Sequence, residues 1–160
     1  MSSKKRIGGA APPKLSDGEK ETLNSELLPV MDNVKVYKDT FDLLVFTYRS
    51  LGTLKREYRF TLGEEMKRTL QQLLTSIYEA KKHPSPRSPL IEVALHWVYE
   101  AKVLYRAMDE LGLLKSSKCA VYISYLSTIS KQLTAWYKYE LRKEKDNYDK
   151  TVPAGGTREG

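Results

Sequence analysis

The sequence predicts an all-α fold, an up-down-up-down four-helix bundle. Three observations predict it. Four segments carry apolar residues at three-and-four spacing, and none alternates as a half-buried strand would. Proline and glycine gather at the ends of those segments, where helices stop and start. Each segment spans roughly 20 residues, about 30 Å as a helix, and the links are short enough to make neighbours antiparallel.

Residues 1–30 are rich in Gly, Pro, Ser and Lys and read as a mostly disordered tail, with one weak helical turn around 18–28. The folded domain is expected over 31–145. The first helix covers 31–52, with Val34, Tyr37, Phe41, Leu44, Val45, Tyr48 and Leu51 on its core face. The second starts at Thr61, where Thr61 and Glu64 have the spacing of a capping box, each satisfying a free N–H of the other. Its stripe is Met66, Leu70, Leu73, Leu74 and Ile77, and His83-Pro84-Ser85-Pro86 ends it. The third opens with Ser88 as N-cap and Pro89 at the first helical position. Its stripe runs from Leu90 through Ala94, Trp97, Val98, Ala101, Leu104 and Tyr105 to Met108, and Gly112 supplies a left-handed end. The fourth starts near Ser116 or Ser117, buries Tyr122, Tyr125, Leu126, Ile129, Leu133, Trp136 and Tyr137, and runs to about Lys145. Residues 146–160 finish in VPAGGTREG and read as a second disordered tail.

The chain has 160 residues, enough for one domain with its own core, and a net charge of +7. Residues 31–145 hold 20 Lys and Arg against 13 Asp and Glu, so the excess sits on the helices and not on the tails. A surplus of this kind favours phosphate backbones or acidic protein surfaces. Cys119 is the only cysteine, which excludes an internal disulfide, and it reads as a small buried apolar residue. No apolar run reaches the length of a membrane span, and the basic N-terminus lacks the apolar core of a secretory signal. A cytoplasmic location is expected.

Catalytic sets are not evident. His83, His96 and Cys119 are scattered and lack metal-ligand spacing, so no metal and no cofactor are expected. Glu64 and Glu65 suit the positive end of a helix dipole. Asp109 and Glu110 precede a helix end, where acids are electrostatically misplaced, and read as a solvated pair. Gly8-Gly9 and Gly155-Gly156 lack the strand and helix of a phosphate loop. The expectation is a binding protein and not an enzyme.

The cations are more informative. Lys131, Lys138, Arg142 and Lys145, spaced by 7, 4 and 3, fall on one stripe at 100° per residue, away from Tyr122, Ile129 and Leu133. Lys55, Arg56 and Arg59 lead into the second helix, and Lys67 and Arg68 lie in its second turn. These nine residues are the candidate nucleic-acid contacts, expected to grip backbones in a salt-sensitive way. Lys102 and Arg106 share a flank with Tyr99. Apolar residues off the core stripes, Leu43 and Phe46 on the first helix and Val93 and Val103 on the third, point to a protomer interface, because a helix apolar on two sides is usually buried on two sides.

Four motifs carry a family resemblance over about residues 35–140. Leu54-Lys55-Arg56-Glu57-Tyr58-Arg59-Phe60-Thr61-Leu62-Gly63 resembles the first interhelical connection of the accessory variability determinant family of diversity-generating retroelements. Leu73-Leu74 with Ile77-Tyr78-Glu79-Ala80 resembles the end of that family's second helix. Arg106-Ala107 with Glu110-Leu111-Gly112-Leu113-Leu114 resembles the end of its third, and Ile129-Ser130-Lys131-Gln132-Leu133-Thr134-Ala135-Trp136 its fourth. Lys55 stands where the family often has proline, and Ala135 where it often has glycine. The family is related to the four-helix bundle proteins of 23S rRNA intervening sequences. The resemblance implies a homopentameric barrel with a basic surface. The implied role is a non-catalytic accessory to mutagenic reverse transcription, with the retroelement reverse transcriptase and template-repeat RNA, or its hybrid with DNA, as partners. Two other readings stay open: an rRNA- or ribosome-associated bundle protein, and an adapter whose basic face docks an acidic protein.

Overall fold

The structure, a computed structural model, describes residues 16–22 and 34–153. Within them every regular element is helical: α1 at residues 17–22, α2 (Lys35–Leu51), α3 (Arg56–Arg59), α4 (Leu62–Lys82), α5 (Ser88–Glu110) and α6 (Ser116–Thr151). The start of the expected first helix at 31–33, most of the N-terminal tail and residues 154–160 lie outside the described residues. The four long helices close a ring of contacts, in which α2 and α5 each pack against both α4 and α6. Leu70, Leu73, Ile77, Ile91, Leu126 and Leu133 fill the centre with no solvent exposure.

The inward face of α2 departs from the expected stripe. Its buried residues are Val36, Tyr37, Thr40, Leu43, Thr47, Ser50 and Leu51, whereas Phe41 and Tyr48 are exposed. Three hydroxyl residues therefore enter the core, and each finds partners there, as buried polar groups must. Thr40 Oγ1 donates to the Val36 carbonyl at 2.7 Å and Thr47 Oγ1 to that of Leu43 at 2.7 Å. Thr47 also pairs with the Tyr105 hydroxyl, and Ser50 with that of Tyr122. The two tyrosine rings stack at 4.8 Å, so α5 and α6 present one polar-tipped aromatic wall to α2. Burial pushes the Tyr105 phenol well above its ordinary value, which keeps it a neutral hydrogen-bonding group.

Helix ends also differ from the expected caps. The Thr61–Glu64 box does not form. Because α3 precedes it by one residue, Thr61 donates its hydroxyl back to the Glu57 carbonyl at 2.8 Å, and Glu64 pairs with Lys67. A box of that kind closes at α1 instead: the Ser16 N–H donates to Glu19 Oε2 at 2.7 Å and the Glu19 N–H to Ser16 Oγ at 3.2 Å. Gly112 does terminate α5 in the left-handed region, at φ 65°, with the Leu113 N–H returned to the Met108 carbonyl.

Ser88 begins α5 but does not cap it. The cap comes from α6. Glu144 Oε1 accepts the N–H groups of Arg87 and Ser88 at 3.0 and 3.1 Å, and its Oε2 accepts the Ser88 hydroxyl at 2.7 Å. α6 runs past the expected end at Lys145, and residues 146–151, expected in the disordered tail, are helical and exposed. One turn before Glu144, Glu140 is buried, accepting from Trp136 Nε1 at 3.2 Å and facing the Arg87 guanidinium at 3.6 Å.

Candidate nucleic-acid interface

The nine expected nucleic-acid contacts fall into two separate groups. Ser50 bonds to Tyr122, which puts the α2–α4 corner beside the first turns of α6. Glu144 bonds to Arg87 and Ser88, which puts the far part of α6 at the opposite end of α5. At 1.5 Å per residue, Tyr122 and Lys145 are about 35 Å apart along the helix. Lys55, Arg56, Arg59, Lys67 and Arg68 therefore belong to one end. Lys138, Arg142 and Lys145 belong to the other, with Lys131 between.

On α6 the stripe is free for use. Lys131, Lys138, Arg142 and Lys145 are all exposed, and none takes part in an ion pair among the described residues. Of the neighbouring acids, Glu140 and Glu144 are turned toward Arg87 and Ser88, whereas Asp146 and Asp149 are exposed beyond Lys145. Desolvation raises the Glu144 carboxyl, but its three hydrogen bonds together outweigh that and hold it below the ordinary carboxylate value. It stays charged while committed to α5, so positive charge predominates on the stripe from Lys131 to Arg142.

The corner group divides. Lys55, Arg56 and Arg68 are exposed and unpaired among the described residues. Arg59 is a structural staple: its Nη2 donates to the carbonyls of Gly52 and Leu54, both at 3.1 Å, closing the chain reversal after α2. Lys67 is also engaged, with Glu64 at 2.8 Å and the Tyr48 ring centroid at 5.1 Å. Of the apolar side chains at this corner, Tyr58 and Leu62 are half-buried, but Phe60 is 64% exposed. The close approach of α3 to α4 favours Gly63, where an added Cβ would lie a tight 3.3 Å from the Tyr58 carbonyl oxygen.

Lys81 was not singled out by its sequence context, yet it lines a recess with Lys35, Gln132 and Trp136. Its position before the proline turn is the one available signal, since antiparallel packing brings that turn beside the later part of α6.

The expected interface residues also separate. Leu43 is fully buried in the core of the chain and presents no surface, because Thr40 and Thr47 share its inward face. Phe46, Val93 and Val103 are exposed. Phe46 meets Tyr125 edge-on at 6.1 Å and lines a groove of about 390 Å³ between α2 and α6, with Arg49, Lys118 and Val121 on its walls. Val93 and Val103 lie on α5.

Among the described residues no cluster of His, Cys, Asp and Glu is arranged to hold a metal ion, and no helix is long and apolar enough to cross a membrane. His96 lies 3.9 Å from Glu100 on the surface of α5. Cys119 is buried, and burial pushes its thiol up, away from the reactive thiolate. No protein-family model matches the chain, and a search of curated proteins returns no match.

Proposed function

We propose that the chain is a non-catalytic accessory protein of a diversity-generating retroelement. In this reading it is a four-helix bundle protomer of a homo-oligomeric, pentameric barrel. It binds the retroelement reverse transcriptase and the template RNA or its cDNA hybrid through its basic surface. The observation that carries the reading is the α6 stripe: Lys131, Lys138, Arg142 and Lys145 exposed in a row, without ion-pair partners among the described residues. Over 14 residues of helix the four cations span about 21 Å, a length suited to an extended polyanion more than to a small ligand.

The positions of the apolar residues support a ring. Phe46 faces the α2–α6 groove, whereas Val93 and Val103 lie on α5, which packs against α4 and α6. Two unlike patches favour head-to-tail contacts, and such contacts form a ring when the rotation between copies closes. The polymerase-accessory role itself rests on the four motifs that resemble the family.

Affinity purification tests this role. The tagged protein is expected to retain the reverse transcriptase encoded beside it together with repeat-containing RNA, and to scatter light as a pentamer. A monomer across micromolar concentrations, with no polymerase retained, would refute the proposal.

A further inference from the structure

Phe60 exposes 64% of its surface at the corner between α3 and α4. It lines a shallow recess of about 500 Å³ with Lys55, Arg56 and Glu57. Hydrophobic contact with the core does not explain it, because Leu54 and Gly63 are the residues that seat the corner. The cations beside it differ in their engagement. Arg59 is spent on the carbonyls of Gly52 and Leu54, whereas Lys55 and Arg56 are exposed and unpaired among the described residues. The recess thus offers one open aromatic face and two free cations within a six-residue span.

We propose that this recess binds an unpaired nucleotide, its base stacked on Phe60 and its flanking phosphates held by Lys55 and Arg56. The chemistry favours that occupant over a peptide or a duplex. Every base presents a π-face that an exposed ring can stack on, while a duplex keeps its base faces covered. Glu57 in the same recess repels phosphate and accepts a hydrogen bond from a base amino group, which sets the direction of the nucleotide across the ring. The inference deepens the proposed nucleic-acid binding and rests on it: the α6 stripe would hold backbones without regard to strandedness, and the corner, at the other end of the molecule, would select single strands or frayed ends.

The test is fluorescence anisotropy with labelled 12-nucleotide single-stranded RNA and DNA, an abasic strand of equal length, and a duplex. The parent, Phe60→Ala, Phe60→Leu and Phe60→Trp proteins are compared at one salt concentration. Phe60→Ala is expected to weaken binding to base-bearing single strands about 10-fold. Abasic-strand and duplex affinities should stay unchanged, with Phe60→Trp restoring the loss and Phe60→Leu not. Equal losses on abasic and base-bearing strands, rescue by leucine as good as by tryptophan, or no loss at all would overturn the stacking site while leaving the broader reading intact. A parent protein that binds none of the four probes at low salt would overturn both.

Discussion

Glu144→Ala removes one carboxylate that serves three donors at the start of α5: the N–H groups of Arg87 and Ser88 and the Ser88 hydroxyl, at 3.0, 3.1 and 2.7 Å. Loss of a helix N-cap costs about 1 kcal/mol, up to about 2. Hydrogen bonds to a charged group add more than neutral ones, but Glu144 is only half-buried and water can partly replace it. The expected cost is about 2 kcal/mol, a fall in Tm of roughly 4–8 °C for a chain of this size. Urea unfolding followed by far-ultraviolet circular dichroism at fixed protein concentration measures it, with the m-value unchanged. Glu144→Gln keeps an acceptor but loses the charge, and should cost about half as much. The pH dependence has a defined sign. The folded carboxyl is held below its unfolded value, so its stabilisation is complete above the unfolded pKa and is lost as pH falls through the folded one. The gap between parent and Glu144→Gln should therefore close in acid. A cost under about 0.5 kcal/mol at neutral pH, or a gap that persists in acid, would refute the capping role.

Three further outcomes are expected. Thr47→Val strands the fully buried Tyr105 hydroxyl and should cost about 1–3 kcal/mol by urea unfolding, with much of the loss recovered when Tyr105→Phe is added. Arg87→Met leaves Glu140 as a buried carboxylate without its cation and should destabilise by about 3 kcal/mol; the double variant with Glu140→Leu should be more stable than Arg87→Met alone, as calorimetry would show. Phe46→Asp puts a charge in the α2–α6 groove and should lower the assembled mass in light scattering, while helicity stays at the parent level.

The order of the long helices and the ends of α4 and α5 were legible because their signals are local. The 3.6-residue period, the His83–Pro86 turn and Gly112 all act within a few residues of the boundary they mark. The face of α2 was not legible. Thr40, Thr47 and Ser50 count as polar in any periodicity, yet their hydroxyls are satisfied by carbonyls one turn back and by two tyrosines from other helices. The same error put Leu43 on the outside and Phe41 and Tyr48 within. The cap on α5 was not legible either, because Glu144 meets Arg87 and Ser88 across more than fifty residues of sequence.

The candidate site shows the same division. Exposure of the α6 stripe follows from spacing alone, since the core face fixes the opposite one. That Arg59 staples the corner while Lys55 and Arg56 remain free depends on where the chain reverses, and no count of charges along KREYR distinguishes them.

The salt dependence of RNA binding bears most directly on the α6 stripe. If Lys131, Lys138, Arg142 and Lys145 each neutralise a phosphate, the plot of log affinity against log salt should fall with a slope of about −3 per protomer for a single strand. Lys131→Glu with Arg142→Glu should reduce that slope to about −1 or abolish binding, with helicity and assembled mass unchanged. A parent slope near zero, or a double variant that binds RNA with the parent's affinity and slope, would contradict the assignment of α6 as the nucleic-acid surface.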